Sequence, residues 1–339
     1  MRPYIDENPC ICYGYSFSMA SQNPLKDVYT TLLHAKRVLV IGDGKPDGDS
    51  MGSSTALYSW LKSEEKEVKL FMSVSSPKNF LFLDHVHEFT QDPLVFDEPW
   101  DAVVSLDASA PGAGGFEDLQ PRLKPGHVFI NLDHHVTNTK FGHINVVMTD
   151  ACSTCEVVYR FFEDNNIPLN DKMATSLLTG LCTDTSHFTN SGTNVKGIEA
   201  AGACTAAGAR HADILRHLII NKSVAGLRLW GLALSRLQYD PKLDLTVTYL
   251  LQKDLDGLPG ADESVEGVSN FLNAVCSESD TIMVLREKSD GTVKGSIRSL
   301  TKDISVLAQS FGGGGHKKAA GFSQKGHIVI MNNLPVIVA

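Results

Sequence analysis

Four separated segments of this chain run from an apolar stretch into a tight group of acidic or imidazole side chains. They are Asp43-Gly-Lys-Pro-Asp47-Gly-Asp49, Ser105-Leu-Asp107, Leu132-Asp133-His134-His135 and Cys182-Thr-Asp184-Thr. Each preceding run reads as a strand. Continuous apolar strands such as Val38-Leu39-Val40-Ile41 are buried on both faces, which places them in a mainly parallel α/β sheet. In such sheets ligands bind in the crevice at the carboxyl ends of the strands. Carboxylates gathered there repel one another unless a cation cancels the repulsion. The alternative is that Asp47-Gly48 is a turn and Asp107 a helix cap. It accounts for any one aspartate, but not for four groups at once.

A chain of 339 residues has room for about two domains. The net charge of −9 argues against wrapping long duplex DNA, which needs a broad basic face. A short or mononucleotide substrate remains open. Seven cysteines, scattered and mostly in apolar stretches, fit free thiols in a cytoplasmic protein better than a disulfide framework. Cys152 and Cys155 have CxxC spacing without a second pair to complete a zinc site, and read as core. No apolar stretch reaches the ~18 residues of a membrane span. Residues 1–18 lack the basic and apolar regions of a signal peptide, and Met19 is a candidate start.

The apolar runs Val68 to Met72, Ala102 to Leu106 and Val128 to Leu132 continue the sheet. Ser50 to Leu61, Ser153 to Asn165 and Lys172 to Leu181 have helical spacing, so helices are expected on both sheet faces. Lys196 to Leu237 is helical in pattern and carries Arg210, Arg216 and Lys222, which suits a connector between lobes. The expected division is a catalytic domain over 19–195, a helical connector over 196–240 and a smaller α/β domain over 241–339. In the last, Leu243 to Leu250, Thr281 to Arg286 and Val293 to Ser299 read as strands, with a Ser289-Asp290-Gly291 hairpin turn. Glu263 to Val275 and Ser305 to Phe311 read as helices.

Hard oxygen ligands mixed with imidazole suit Mn²⁺, Mg²⁺ or Fe²⁺ rather than a thiolate-rich zinc site. Two such ions roughly 3.5–4 Å apart can activate water and steady a leaving oxygen. Downstream, consecutive glycines at Gly312 to Gly315 could converge backbone N–H groups on an anion, beside His316, Lys317 and Lys318. Arg298 offers a planar fork matched to phosphate. His187 reads as a neighbour of Asp184 rather than a ligand, and His85 and His87 as surface.

Pro46-Asp47-Gly48-Asp49 with Gly52-Ser53, Asp133-His134-His135, Thr179-Gly180 through Asp184-Thr185, and Gly313-Gly314-Gly315-His316 with Ala319-Ala320-Gly321 together resemble the DHH phosphoesterases carrying a DHHA1 domain, on the nanoRNase/pAp-phosphatase branch. The similarity covers roughly residues 37 to 322. The resemblance implies a DHH domain, a DHHA1 domain and an active site in the cleft between them. It implies that Asp47, Asp49, Asp107, His134 and Asp184 ligate two Mn²⁺ ions, with Asp107 bridging. His135 would face the scissile phosphate, Asp133 would orient His134, and Arg298, Gly313, Gly314, Gly315 and His316 would hold the substrate. Where the family has a histidine four residues before its first motif aspartate, this chain has Asp43, which can also ligate Mn²⁺. The family's arginine after the second motif is absent from Ala108 to Gly115.

The implied activity is Mn²⁺-dependent hydrolysis of short RNA oligomers to 5′-mononucleotides and of 3′-phosphoadenosine 5′-phosphate (pAp) to AMP, without long duplex DNA or membrane partners and with pairing into a homodimer allowed. A linear or cyclic dinucleotide phosphodiesterase is the alternative enzyme. A catalytically weakened nucleotide-binding protein is the alternative outside enzymes.

Overall fold

The computed structural model describes residues 23–218, 223–258, 265 and 267–338. Met19, Lys222 and the expected helix onset at Glu263 lie outside them.

The first lobe is a six-stranded, wholly parallel sheet in the order β3-β2-β1-β4-β5-β6. Its strands are β1 (Arg37–Ile41), β2 (Glu67–Phe71), β3 (Phe89–Thr90), β4 (Ala102–Leu106), β5 (Val128–Asp133) and β6 (Ile144–Val147). From β1 the chain builds outward through β2 and β3, then returns to the other side of β1 with β4. The strand order therefore reverses between β1 and β4, and their carboxyl ends open a crevice there.

Alternation along the strands sends side chains to two cores. Val38, Val40, Val104, Ile130 and Leu132 face one side, with Leu39, Ile41, Val103 and Phe129 on the other. Each fully buried aliphatic side chain contributes roughly 1.5–3 kcal/mol, so a one-residue register slip is strongly resisted. The expected cover is divided unequally. The helices α1 (Pro24–His34), α2 (Gly48–Ser63), α3 (Thr154–Asp164) and α4 (Asp171–Asp184) contribute to the first core. The second core is closed by Phe96, Trp100, Phe116 and Leu123, from short 3-10 turns and loops.

The helices between the lobes also divide. From α5 (Val195–Ala206) and α6 (His211–Leu218), Ala200, Cys204 and Ile214 join the first core. From α7 (Val224–Ser235), Leu229 and Ala233 pack in the second lobe with Leu272 and Ile282.

The second lobe is a smaller α/β unit around a six-stranded sheet in the order β11-β12-β10-β9-β8-β7. Its strands are β7 (Gln238–Asp240), β8 (Leu245–Leu250), β9 (Thr281–Glu287), β10 (Thr292–Ser299), β11 (Gly314–His316) and β12 (Ala319–Lys325). All pairings are antiparallel except β8 with β9. The β9–β10 hairpin turns at Gly291, with φ +73°, and Asp290 Oδ1 accepts the Thr292 N–H at 3.0 Å. A hairpin of β13 (His327–Met331) and β14 (Leu334–Val338) follows. The helix Val268–Val275 packs against β9 and β10.

Candidate active site

At the end of β1 the chain turns through Gly42 to Lys45 and enters α2. Asp47 is the N-cap: its Oδ1 accepts the N–H groups of Asp49 at 2.9 Å and Ser50 at 3.1 Å. Such a cap satisfies backbone donors that no helix can pair internally. It also fixes Asp49 in the first turn. The Asp49 carboxylate crosses to the start of α3, where Oδ2 accepts Thr154 N–H at 2.6 Å and Oδ1 accepts Cys155 N–H at 2.8 Å. The positive end of that helix favours an anion.

Glycines set how closely the helices meet. A Cβ on Gly52 would stand 2.3 Å from the Ser176 carbonyl oxygen of α4, and one on Gly180 would lie 2.7 Å from Asp49 Oδ1. Only glycine at both positions allows α2 and α4 this close. That contact brings Asp49 of α2 and Asp184, the last residue of α4, to one place.

Beyond β4, Asp107 adopts φ +66°, a region that a non-glycine residue occupies at a cost of order 1–3 kcal/mol and that recurs at functional sites. Two contacts hold it: its N–H donates to the Leu132 carbonyl at 3.1 Å, and its Oδ1 accepts the Thr154 hydroxyl at 2.9 Å. At the end of β5, Asp133 Oδ1 accepts both the His134 N–H at 2.8 Å and His135 Nδ1 at 2.7 Å. Its Oδ2 accepts from Asn138 Nδ2 at 2.6 Å. A carboxylate only accepts, so His135 carries its proton on Nδ1. Asp133 thus holds the ring of His135 but only the backbone of His134, whose own Nδ1 lies 3.4 Å from the Ala151 carbonyl.

The convergence centres on His134. Its Nε2 lies 3.3 Å from Asp184 Oδ2, 3.8 Å from Asp107 Oδ1 and 3.9 Å from Asp49 Oδ2. His135 Nδ1 stands 3.8 Å from Asp107 Oδ1. Two groups of donor atoms result, each within 4.8 Å of one another: Asp49, His134 and Asp184, and Asp107, His134 and His135. Asp43 and Asp47 belong to neither group. Asp43 Oδ2 accepts the Lys45 N–H at 3.1 Å, and its N–H donates to Ser50 Oγ at 2.7 Å.

Burial, reinforced by Asp49 and neighbouring carboxylates, pushes Asp107 and Asp184 well above the usual carboxyl range. The same two causes raise Asp47 to about 6. Burial raises Asp43. Burial alone would raise Asp133, but the hydrogen bonds and charge of His135 together with the Asn138 hydrogen bond hold it below the usual carboxyl range. For His135 burial opposes the charged form, yet Asp133 holds its pKa above the ordinary value. Among the described residues no lysine or arginine pairs with Asp49, Asp107 or Asp184. Asp184 sits at the carbonyl end of α4, where negative charge is further disfavoured. Buried carboxylates repelling one another beside imidazole, with donor atoms already gathered, fit divalent cations.

In the second lobe, Arg298 is held on β10: Nε donates to Asn270 Oδ1 at 2.7 Å and Nη1 to the Ile297 carbonyl at 2.9 Å. Gly312 N–H donates to the Gln309 carbonyl and Gly313 N–H to Ala308, both at 2.9 Å, closing the helix Ser305–Ser310. Gly314, Gly315 and His316 then form edge strand β11. The side chain of His316 lies outside the described part.

One expectation needs restating, and the reading of Cys152 and Cys155 as core holds. Asp184 ends a helix, not a strand. Cys152 and Cys155 are buried free thiols, with pKa values raised by burial and neighbouring carboxylates, so neither is poised as a thiolate ligand. The supporting roles of Thr154 and Asn138 were missed. Ser153, the N-cap of α3, was the available signal that a helix start abuts the site.

Residues 37–181 match the N-terminal domain of the DHH family, and residues 246–337 match the DHHA1 domain. The bifunctional oligoribonuclease and PAP phosphatase NrnA of Thermus thermophilus is 32% identical over 284 residues, covering 83% of this chain and 82% of that protein. The protein of the same name from Bacillus subtilis is 23% identical over 290 residues, covering 82% and 86%. An exopolyphosphatase-related protein from Bacteroides fragilis, 24% identical, has the same fold, with a TM-score of 0.81 over 90% of this chain and 92% of its own. With both domains matched in order along the sequence, the chain belongs to the DHH family, as a phosphoesterase that also carries a DHHA1 domain.

Proposed function

We propose that this phosphoesterase hydrolyses short oligoribonucleotides to 5′-mononucleotides and pAp to AMP, using two Mn²⁺ ions in a cleft between the lobes. The observation that carries this reading is the meeting of Asp49, Asp107 and Asp184 around His134 Nε2. NrnA-named relatives supply the substrate class.

In this reading Asp49, His134 and Asp184 would hold one ion, and Asp107 would serve as a ligand to both. Asp47 and Asp43, which lie outside both donor groups, would join the second on ion binding. Bound cations supply Lewis acidity toward the scissile phosphate and toward water. The chain's own residues do the rest. Thr154 and the first amides of α3 fix the carboxylates. His135, its Nδ1 proton tied to Asp133, presents a ring of set tautomer to the phosphate and can donate a hydrogen bond to it when protonated. Arg298, Gly313, Gly314, Gly315 and His316 hold the far end of the substrate, which limits length without a basic track. We place the catalytic domain at 19–195, the connector at 196–240 and the substrate domain at 241–339, in a cytoplasmic protein able to pair as a homodimer.

The test is release of phosphate from pAp and of mononucleotide from a diribonucleotide, with Mn²⁺, Mg²⁺ or chelator. Turnover of both with Mn²⁺ is expected, and none with chelator. Absence of both activities with Mn²⁺ ends the proposal. A second reading, a nucleotide-binding protein with a weakened metal site, is favoured by the position of Asp43 outside both donor groups. Metal analysis separates the two: about two ions per chain are expected for the enzyme, and none, with nucleotide still bound, for the binder.

A further inference from the structure

Among the described residues, five half-buried arginines carry a carboxylate. Arg37 pairs with Glu67 and Glu98, both at 2.8 Å, and Arg210 with Asp84 at 2.9 Å. Arg122, Arg160 and Arg236 pair with Asp97, Glu156 and Asp254. Arg298 departs from this pattern. It is half-buried on β10, burial lowers its pKa from the ordinary value, and among the described residues no carboxylate pairs with it. Its two protein acceptors are neutral, the Asn270 side-chain oxygen and the Ile297 carbonyl. A guanidinium has five N–H donors and stays charged, so three remain for another partner.

The chemistry of position 270 matters here. An amide oxygen fixes the plane of the guanidinium without cancelling its charge. A carboxylate in its place would accept the same hydrogen bond and neutralise the arginine. Asn270 lies on the helix Val268–Val275, packed against β10, so the acceptor is delivered by a structured element rather than a loop.

We propose that Asn270 is a positioning residue that holds the Arg298 guanidinium in a set plane with its charge uncancelled, so that a phosphate group of the substrate supplies the missing anion. This rests on Arg298 being the holder of the substrate's terminal phosphate.

The experiment compares steady-state kinetics of the Mn²⁺-loaded protein on pAp and on adenosine 3′-monophosphate, which lacks the 5′-phosphate. Asn270→Asp is expected to raise KM for pAp roughly 10–100-fold with kcat nearly unchanged, the size of a lost charge-assisted contact. Asn270→Ala, which frees the guanidinium but leaves its charge, is expected to raise it by only about 3–10-fold. KM for adenosine 3′-monophosphate should hardly move. A merely structural Asn270 predicts the reverse order, since aspartate keeps the acceptor and alanine removes it. Asn270→Asp as mild as, or milder than, Asn270→Ala overturns the inference. Arg298→Met, run in parallel, separates the levels: no pAp-specific rise in KM there overturns the reading of Arg298 itself. Such a rise together with a harmless Asn270→Asp overturns only the role of Asn270. Should Asn270→Asp fail to fold, inhibition by inorganic pyrophosphate on Asn270→Ala decides. Weaker inhibition is expected, and inhibition equal to wild type overturns the inference.

Discussion

In the first lobe, Asp49, Asp107 and Asp184 meet with no lysine or arginine paired to them among the described residues, whereas in the second lobe Arg298 stands with no carboxylate. Both regions are stabilised by neutral dipoles instead of opposite charge. Asp49 is held by the Thr154 and Cys155 amides, Asp107 by the Thr154 hydroxyl, and Arg298 by the Asn270 amide oxygen. Neutral partners fix geometry but leave the charge able to attract something from outside. On the proposed function the missing partner differs in sign: cations for the first lobe, an anion for the second. A salt bridge at either place would have stabilised the apoprotein and removed the reason to bind.

Breaking the first half of that comparison should have the largest effect. Asp107→Asn removes the carboxylate of one donor group, which the proposed function shares between both ions. Activity on pAp is expected to fall by more than the ~10–100-fold that supporting residues of metal sites cost. Metal analysis should show reduced occupancy in the same variant; full occupancy with full activity would remove Asp107 from the site. Gly180→Ala acts next, through packing. Its Cβ would press on Cys155 Sγ at 2.3 Å and Asp49 Oδ1 at 2.7 Å, so a loss of roughly 1–3 kcal/mol in stability is expected by denaturant melt. An unchanged midpoint would mean that α2 and α4 separate freely.

Thr154→Val sharpens the comparison by removing one neutral dipole while keeping shape. A drop of about 10-fold in kcat/KM is expected, with Mn²⁺ affinity lowered in parallel. No change in either would show that the Asp107 position does not depend on the hydroxyl. The smallest effect is on pH dependence of stability. Asp107, Asp184 and Asp47 are raised in the folded protein, Asp47 to about 6. Their contribution is fully present below the unfolded value near ~3.9 and is lost as pH rises through the folded values. Metal-free protein should lose this stability between roughly pH 4 and 6 and above. The rise in Tm on adding Mn²⁺ should therefore be larger at pH 8 than at pH 5. Equal rises at both would contradict the raised values.

Much of the first lobe was legible because its strands announce themselves twice, as apolar runs and as abrupt switches to aspartate. Asp107 and Asp133 follow that rule. Asp184 does not: it ends α4, the helix expected from the spacing of Lys172 to Leu181, and only the reading of a strand before it fails. The glycine run was read for its anion-binding potential. Locally it begins as a helix stop, since Gly312, with φ +72°, ends the helix that the same reading placed at Ser305 to Phe311. The parallel pairing of β8 with β9 and the reach of Asn270 to Arg298 join residues far apart in the chain, and no local pattern encodes them.

The seam where α2 crosses α4 has a consequence for metal selectivity. The gap between Asp49 and Asp184 is gauged by main-chain atoms meeting across Gly52, Ser176 and Gly180, leaving little freedom for side-chain adjustment. A chain adapting to ions of another radius would therefore gain more from altering residue volume along this crossing than from exchanging the ligands themselves.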